Sequence, residues 1–397
     1  MPRSDQRPTI ALYHHLPPGG AERALIELTR RTADDFRYVL FEVELGGRDP
    51  FAGRDRSELC SLVDDVVTVS ARAGGAGRVG RWAQTIPNIL RAERKISAMI
   101  EERSPAAVVV HHQRFTQAPS LLLRTARPTV YFVQEPRRRS FEHALQDLPA
   151  TGVRRLTRAP IDRIEAWARS FDIRATRAAT TILCNSDHSR EYIWRAYGRD
   201  ATVVRLGVDL DRFTLPGDGP REPVILSVGG LDATKGHELL VDALGEVAGE
   251  HRPELRVITN RPDQPSAAAL KERARALDVQ VRIDSELSEA ELVGAYQRAT
   301  AVGLAARVEP LGLVALEAAA CGTPAVAVRE GGYRETIIHD HTGLLVDRSP
   351  VALGDAIERV ASGAWQADRS ALRSHVERNH HWDRAADVYR ASITAFV

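Results

Sequence analysis

Two glutamates stand eight positions apart in the stretch ARVEPLGLVALEAAACGTPAVAV, residues 306–328, which is otherwise largely apolar. A carboxylate withdrawn from water without a partner costs roughly several kcal/mol, or takes up a proton. Glu309 and Glu317 therefore need either a structural partner or a polar ligand. Neutral hydroxyls satisfy a carboxylate without cancelling its charge, so carbohydrate suits the pair better than an anion. A helix starting near Gly312 puts Glu317 in its second turn and leaves Glu309 on the loop before it. The amides of Gly312 and Leu313 at that start could receive phosphate oxygens. The plainer alternative pairs Glu317 with Arg329 or Arg334 and leaves Glu309 in solvent.

A second candidate is Lys235 in SVGGLDATKGHELLVDAL. A strand ending at Gly229–Gly230 and a helix starting near Lys235, capped by Asp232 or Thr234, would set a cation against the helix dipole. A bound phosphate, attracted by lysine and helix start alike, would remove that conflict. The alternative is a solvated surface lysine. Near the N-terminus, HHLPPGGAERALIELTR carries Gly19 and Gly20 before a helix, where backbone can approach an anion closely. The motif is neither GxGxxG nor a P-loop, since Glu22 replaces the P-loop lysine. The alternative is a plain glycine-capped turn. Asp209-Leu210-Asp211 spells D-x-D, but in a Gly/Pro-rich stretch its expected job is turn chemistry rather than metal binding.

The elements that must carry these residues alternate short apolar runs with longer segments of helical period, as in an α/β protein with parallel sheets. In the first half strands are expected at 9–15, 38–44, 66–70, 106–112, 129–134, 180–185 and 202–207, with helices at 20–32, 82–102 and 160–178. In the second, strands are expected at 224–230, 255–260, 279–284, 300–305, 324–328 and 343–346. Helices there are expected at 235–249, 267–277, 288–298, 312–320 and 350–362. The stretch 208–222, rich in Gly, Pro and Asp, reads as a linker between domains 1–207 and 223–380. Two open α/β domains facing each other would bind ligand at the carboxyl ends of their strands.

Bulk properties narrow the class. At 397 residues the chain suits two domains, and a net charge of +1 gives no global field for nucleic acid. Three separated cysteines form no CxxC pair, which fits a reducing cytoplasm without disulfides or structural zinc. No apolar run is long enough to span a bilayer, and MPRSDQRPTIALYHH lacks a signal-peptide core. Between residues 137 and 177 arginines outnumber acids, and Ile161, Ile164, Trp167, Ala168 and Phe171 recur at helical spacing. This segment is either a basic surface for a phospholipid membrane or a polyprenyl-diphosphate acceptor, or an amphipathic helix packed on the first core with solvated arginines.

In this order, EPLGLVALE, GGAER, NSDHSREYI, LGVDLDRF, DATKGHELLVDAL, ACGTPAVAVREGGYRETI and HTGLLV resemble the retaining glycosyltransferases of family 4, whose signature is E-x7-E and whose fold is GT-B. The resemblance covers most of the chain. It implies two Rossmann-like domains with a cleft, an N-terminal acceptor side, a C-terminal nucleotide-sugar side, and a final helix at 381–397 returning to the first domain. It implies transfer from a nucleotide-diphosphate sugar to a hydroxyl of a glycan, a lipid-linked acceptor or a small molecule, with retention and without a cofactor or essential metal. The donor site it implies comprises Gly19, Gly20, Lys235, Glu309, Leu311, Gly312, Leu313 and Glu317. Glu309 would contact the sugar and Glu317 the ribose, while Lys235 and the amides of Gly20, Gly312 and Leu313 hold the diphosphate. Of His111 and His112, which end a strand where the family often places a sugar-contacting histidine, His112 is preferred; with Glu309 and Lys235 it makes the catalytic set.

Two positions depart from the family pattern. Gly230 stands where an arginine is common, so a phosphate cation is missing unless Arg307 replaces it. VQEP, residues 133–136, stands where relatives often read His-Glu-Pro, so Gln134 replaces a histidine. These departures keep an inactive binding subunit in view, beside a sugar-nucleotide 2-epimerase of the same architecture. The expected location is cytoplasmic, with a peripheral place at the inner face of the membrane.

Overall fold

The computed structural model describes residues 6–17, 19–46, 56–75, 77–141, 158–217, 219–260 and 264–397. The chain divides into two compact units, one formed by Met1–Arg205 with Asp383–Val397 and the other by Leu206–Trp382.

The first unit is built on a seven-stranded sheet of β1 (Thr9–His15), β2 (Arg37–Gly46), β3 (Asp65–Arg72), β4 (Ala107–Gln113), β5 (Thr129–Phe132), β6 (Thr181–Cys184) and β7 (Thr202–Val203). Their spatial order is β3-β2-β1-β4-β5-β6-β7, and every pairing is parallel. Parallel strands require crossover connections, and helices covering both faces explain why β4 is buried along its whole length. The strand expected to run to 207 pairs only over Thr202–Val203. The helix expected at 82–102 runs over Gly77–Arg103 and tolerates Pro87 in its interior.

The second unit holds a six-stranded sheet of β8 (Glu222–Val228), β9 (Glu254–Thr259), β10 (Val281–Ser285), β11 (Ala299–Leu304), β12 (Ala325–Val328) and β13 (Gly343–Val346). Its order is β10-β9-β8-β11-β12-β13, again parallel throughout. The order reverses between β8 and β11, and ligands of such sheets bind outside the carboxyl ends of the strands at that reversal. The first sheet reverses between β1 and β4.

The stretch 208–222, expected as a linker, is irregular yet packed within the second unit. Val208 and Phe213 lie in its core, and Arg373 donates to the carbonyls of Leu210 and Phe213. The final helix, Trp382–Thr394, sits largely in the first unit, where Tyr389 is fully buried and Arg390 pairs with Asp35 at 2.7 Å.

The basic segment divides in the same way between surface and core. Residues 142–157 lie outside the described residues. In the helix Arg158–Ala178, Ala168, Phe171 and Ala175 are buried. Ile164 is half-buried and Trp167 is exposed. Most of the apolar face therefore joins the first unit's core. No helix among the described residues is long and apolar enough to cross a membrane.

Candidate functional site

The loops leaving β8 and β11, the two strands at the reversal of the second sheet, bring Lys235 and Glu309 together. Lys235 Nζ donates to Glu309 Oε2 at 3.1 Å, and both side chains keep some solvent exposure. The loops are also tied by backbone, since the Arg307 amide donates to the Thr234 carbonyl at 2.7 Å. A Cβ on Gly236 would meet the Ala305 carbonyl oxygen at 2.0 Å, so only glycine permits this approach.

Lys235 does not start a helix. The helix is His237–Glu246, its N-cap is Gly236 in the left-handed region at φ 71°, and no side chain caps it. Asp232 instead closes the turn before it, accepting from the Thr234 amide at 3.1 Å, while the Lys235 amide donates to the Asp232 carbonyl at 3.0 Å. Lys235 thus extends from a turn ahead of the helix, and the conflict with the helix dipole does not arise. The turn is braced by His237, which is buried and neutral because burial lowers its pKa. Its Nε2 donates to the Gly230 carbonyl at 2.9 Å, and Nδ1 accepts from Ser227 Oγ at 3.2 Å.

Around Glu309 the backbone is constrained on every side. Val308 has φ 47°, a conformation that costs a β-branched residue about 1–3 kcal/mol. The Gly332 amide donates to the Glu309 carbonyl at 2.7 Å. Three residues on, Gly312 caps the helix Leu313–Ala320 at φ 94°, and a Cβ there would meet the Tyr333 ring at 2.8 Å. The first amides of that helix have no intrahelical acceptor and suit an anion. Leu311 is buried just before it.

Glu317 occupies the second turn of that helix and is buried. Its partner is neither Arg329 nor Arg334: Tyr296 Oη donates to Glu317 Oε2 at 2.7 Å, and Arg329 instead donates to the Leu345 carbonyl. Tyr296 escaped sequence reasoning because it lies on another helix, Glu289–Arg298, whose packing no local pattern reveals. Burial, followed by the charge of Glu317, pushes the Cys321 thiol up to about 12, so this cysteine is an inert core residue. Asp209 accepts from the amides of Asp211 and Arg212, both at 3.1 Å, which is turn chemistry. Among the described residues no group of three or more His, Cys, Asp or Glu could hold a metal ion.

The remaining candidates belong to the first unit and are described within it. Gly19 precedes the helix Gly20–Thr32 without a side-chain cap. His112 Nε2 accepts from the Gln134 amide at 3.2 Å, and its Nδ1 lies 3.3 Å from Gln117 Nε2. Burial pushes the His112 pKa down to about 3 and keeps the ring neutral. Gln134 also donates through Nε2 to the Ala21 carbonyl at 3.0 Å, so it joins the Gly19–Gly20 turn to His112. His111 differs: it is buried, packs 5.5 Å from the Phe132 ring, and neither ring nitrogen has a hydrogen-bond partner in the structure.

Two all-parallel Rossmann-like units, with a lysine and a glutamate at the strand-order reversal of the second, define the GT-B class of glycosyltransferase folds. The family model described as Glycosyltransferase Family 4 matches residues 18–212, and the model for glycosyl transferases group 1 matches residues 216–379. The chain belongs to glycosyltransferase family 4. It is 33% identical over 243 residues to the D-inositol 3-phosphate glycosyltransferase of Xylanimonas cellulosilytica, covering 53% of this chain and 57% of that protein. With the same-named enzyme of Rhodococcus jostii it shares 30% over 269 residues, covering 59% of this chain and 57% of the relative. The chain thus spans little over half the length of these relatives. Among solved structures, sucrose-phosphate synthase from Thermosynechococcus elongatus superposes with a TM-score of 0.76 at 20% identity, covering 98% of this chain and 100% of that one. Anabaena HepE in complex with UDP and glucose gives 0.72 at 16% identity, covering 98% and 100%.

Proposed function

We propose that the protein transfers a sugar from a nucleotide-diphosphate donor to a hydroxyl acceptor with retention of anomeric configuration and without an essential metal. The observation that carries this reading is the Lys235–Glu309 contact of 3.1 Å at the carboxyl ends of β8 and β11. A cation and a carboxylate held side by side are the groups that a diphosphate and a sugar hydroxyl would engage. Lys235 and the Gly312–Leu313 amides then meet the charge that develops on the leaving phosphate. Glu309 accepts from sugar hydroxyls, Glu317 from the ribose, and Leu311 shapes the turn between them. Gly19 and Gly20, at the start of the helix Gly20–Thr32, present backbone that suits a phosphate. His112, held neutral, serves as a hydrogen-bonding group and not as a proton carrier. The acceptor hydroxyl attacks from the face the diphosphate leaves, and a leaving-phosphate oxygen takes its proton.

The named relatives make D-inositol 3-phosphate a first acceptor to try, and the complexes of HepE make UDP-sugars a first donor. Exposed Trp167, stacked 5.3 Å from Phe171, offers an indole anchor beside exposed Arg163 and Arg174 for peripheral contact with an anionic membrane at its cytoplasmic face. Thermal shift with UDP-, GDP- and ADP-sugars tests the donor, because a bound ligand stabilises the folded state by mass action. Release of nucleoside diphosphate with an acceptor panel, in EDTA, tests transfer. Isomerised donor without acceptor would indicate the epimerase instead, and donor binding without turnover on any acceptor would indicate a binding subunit.

A further inference from the structure

One arginine ties together the carboxyl ends of three adjacent strands. Arg348, just past β13, donates from Nε and a terminal nitrogen to the two carboxylate oxygens of Glu330, each at 2.7 Å. Its terminal nitrogens also donate to the carbonyls of Ala305 at 3.0 Å and Ala306 at 2.8 Å, immediately after β11. Glu330 lies just past β12. Such a planar fork satisfies two acceptors at once and fixes orientation as well as distance.

Glu330 has a further task, for it precedes Gly331, whose Cα lies against Val308 and Glu309, and the Val308 amide favours its charged form. Burial opposes its charge, but Arg348, the Val308 amide and the charge of Arg307 outweigh burial and hold the carboxyl below its ordinary range. Val308 is the residue in the left-handed region, and Glu309 follows it. The two glycines after Glu330 press on the same loop. A Cβ on Gly331 would come within 2.4 Å of the Glu309 carbonyl oxygen, and one on Gly332 within 2.5 Å of Leu311 Cα. A β-branched residue holds a positive φ only where its surroundings over-determine it. Here those surroundings are the Gly331–Gly332 backbone, anchored through Glu330, and Arg348, which holds the Ala305 and Ala306 carbonyls just ahead of Val308.

We propose that Glu330 and Arg348 form a positioning pair that holds Val308 in its left-handed conformation and thereby aims the Glu309 carboxylate. The proposal rests on the reading of Glu309 as the sugar-contacting residue. Neither Glu330 nor Arg348 needs to touch donor. Loosening the Glu330–Arg348 anchor on both sides of the loop lets the Val308 φ return to negative values, which swings the next residue's side chain by a distance that catalysis does not tolerate.

The test uses the full chain with E330Q, R348K and V308G, alone and combined, and E309A as reference. E330Q and R348K are expected to lower kcat at least tenfold while leaving the donor KM and the affinity for free nucleoside diphosphate within twofold. Hydrogen exchange at the Val308 amide should accelerate in both. V308G, whose glycine adopts positive φ without strain, should restore kcat in the E330Q background to within about threefold of V308G alone. An unchanged kcat in both single variants overturns the proposal. So does a joint fall of kcat, diphosphate affinity and melting temperature that V308G fails to relieve, which marks an ordinary stabilising ion pair. If E309A retains full activity, the reading of Glu309 fails and the aiming role falls with it. Faster Val308 exchange would then still report the Glu330–Arg348 anchor.

Discussion

Lys235 Nζ and Glu309 Oε2 face each other at 3.1 Å across the two loops at the strand-order reversal of the second sheet. Removing either partner should therefore act on different steps. K235A is expected to weaken nucleoside-diphosphate binding by tenfold or more, because the charge on the phosphates loses its cation. E309Q keeps the side chain's size and frees Lys235, so diphosphate binding should hold or tighten while kcat falls by about 100-fold, the order seen when an interaction made chiefly in the transition state is lost. Calorimetric titration with the diphosphate and steady-state kinetics separate the two. Equal losses of binding in both variants would contradict the division of roles.

Gly230 leaves room for the cation it lacks. A Cβ at this position meets only Asp232 Oδ2, at 3.1 Å, the far end of a side chain that can turn aside. G230R should therefore fold normally and tighten diphosphate binding severalfold, with a steeper salt dependence, since an added exposed cation is screened by ions. Titrations at two ionic strengths measure this. Unaltered affinity and slope would mean that position 230 does not face the phosphates.

Tyr296 carries a structural share of Glu317. Y296F removes one donor from a buried carboxylate and should cost about 1–3 kcal/mol in chemical denaturation. If the ribose takes the remaining lone pairs, saturating nucleotide should recover part of that loss. A loss below about 0.5 kcal/mol, the range of an ordinary surface change, would show that the hydroxyl contributes little.

A pH dependence follows from the first unit. Asp172 is buried, and burial raises its carboxyl to about 7 despite hydrogen bonds from Tyr197 Oη at 2.7 Å and the Ala118 amide at 3.0 Å. The folded state then binds a proton that the unfolded state releases near pH 4. Its contribution is fully present below that point and is lost as pH rises toward 7, at about 1.4 kcal/mol per pH unit. D172N removes the titration, so its stability should vary less between pH 4 and 7 than that of the native protein. Urea denaturation across that range decides the matter, and parallel curves would refute it.

What the sequence made readable, and what it hid, divides along physical lines. Val/Ile-rich runs announced buried parallel strands, Glu309 and Gly312 could be singled out because each breaks a local rule, and Lys235 because a helix start was expected there. Contacts made after the chain turns back on itself left no local trace. Tyr296 reaches Glu317 from a different helix, and Arg348 meets Glu330 only because β12 and β13 are neighbours. The helix start expected near Lys235, with Asp232 or Thr234 as its cap, falls instead at His237, where Gly236 at a left-handed φ and in close approach to Ala305 is the N-cap. In 208–222, Gly and Pro correctly signalled irregular backbone, but irregularity does not mean looseness, and Phe213 is buried.

The first unit draws its last helix from the far end of the chain, Asp383–Val397. During synthesis, Asp35 must wait for Arg390, its partner at 2.7 Å, until the whole second unit has been made. Domains generally fold as units in the order they emerge. The second unit can therefore reach its native state while the first is still incomplete. The order of birth and the order of completion are reversed, and a ribosome stalled before Asp383 would display a finished second unit and a first unit that lacks its closing helix.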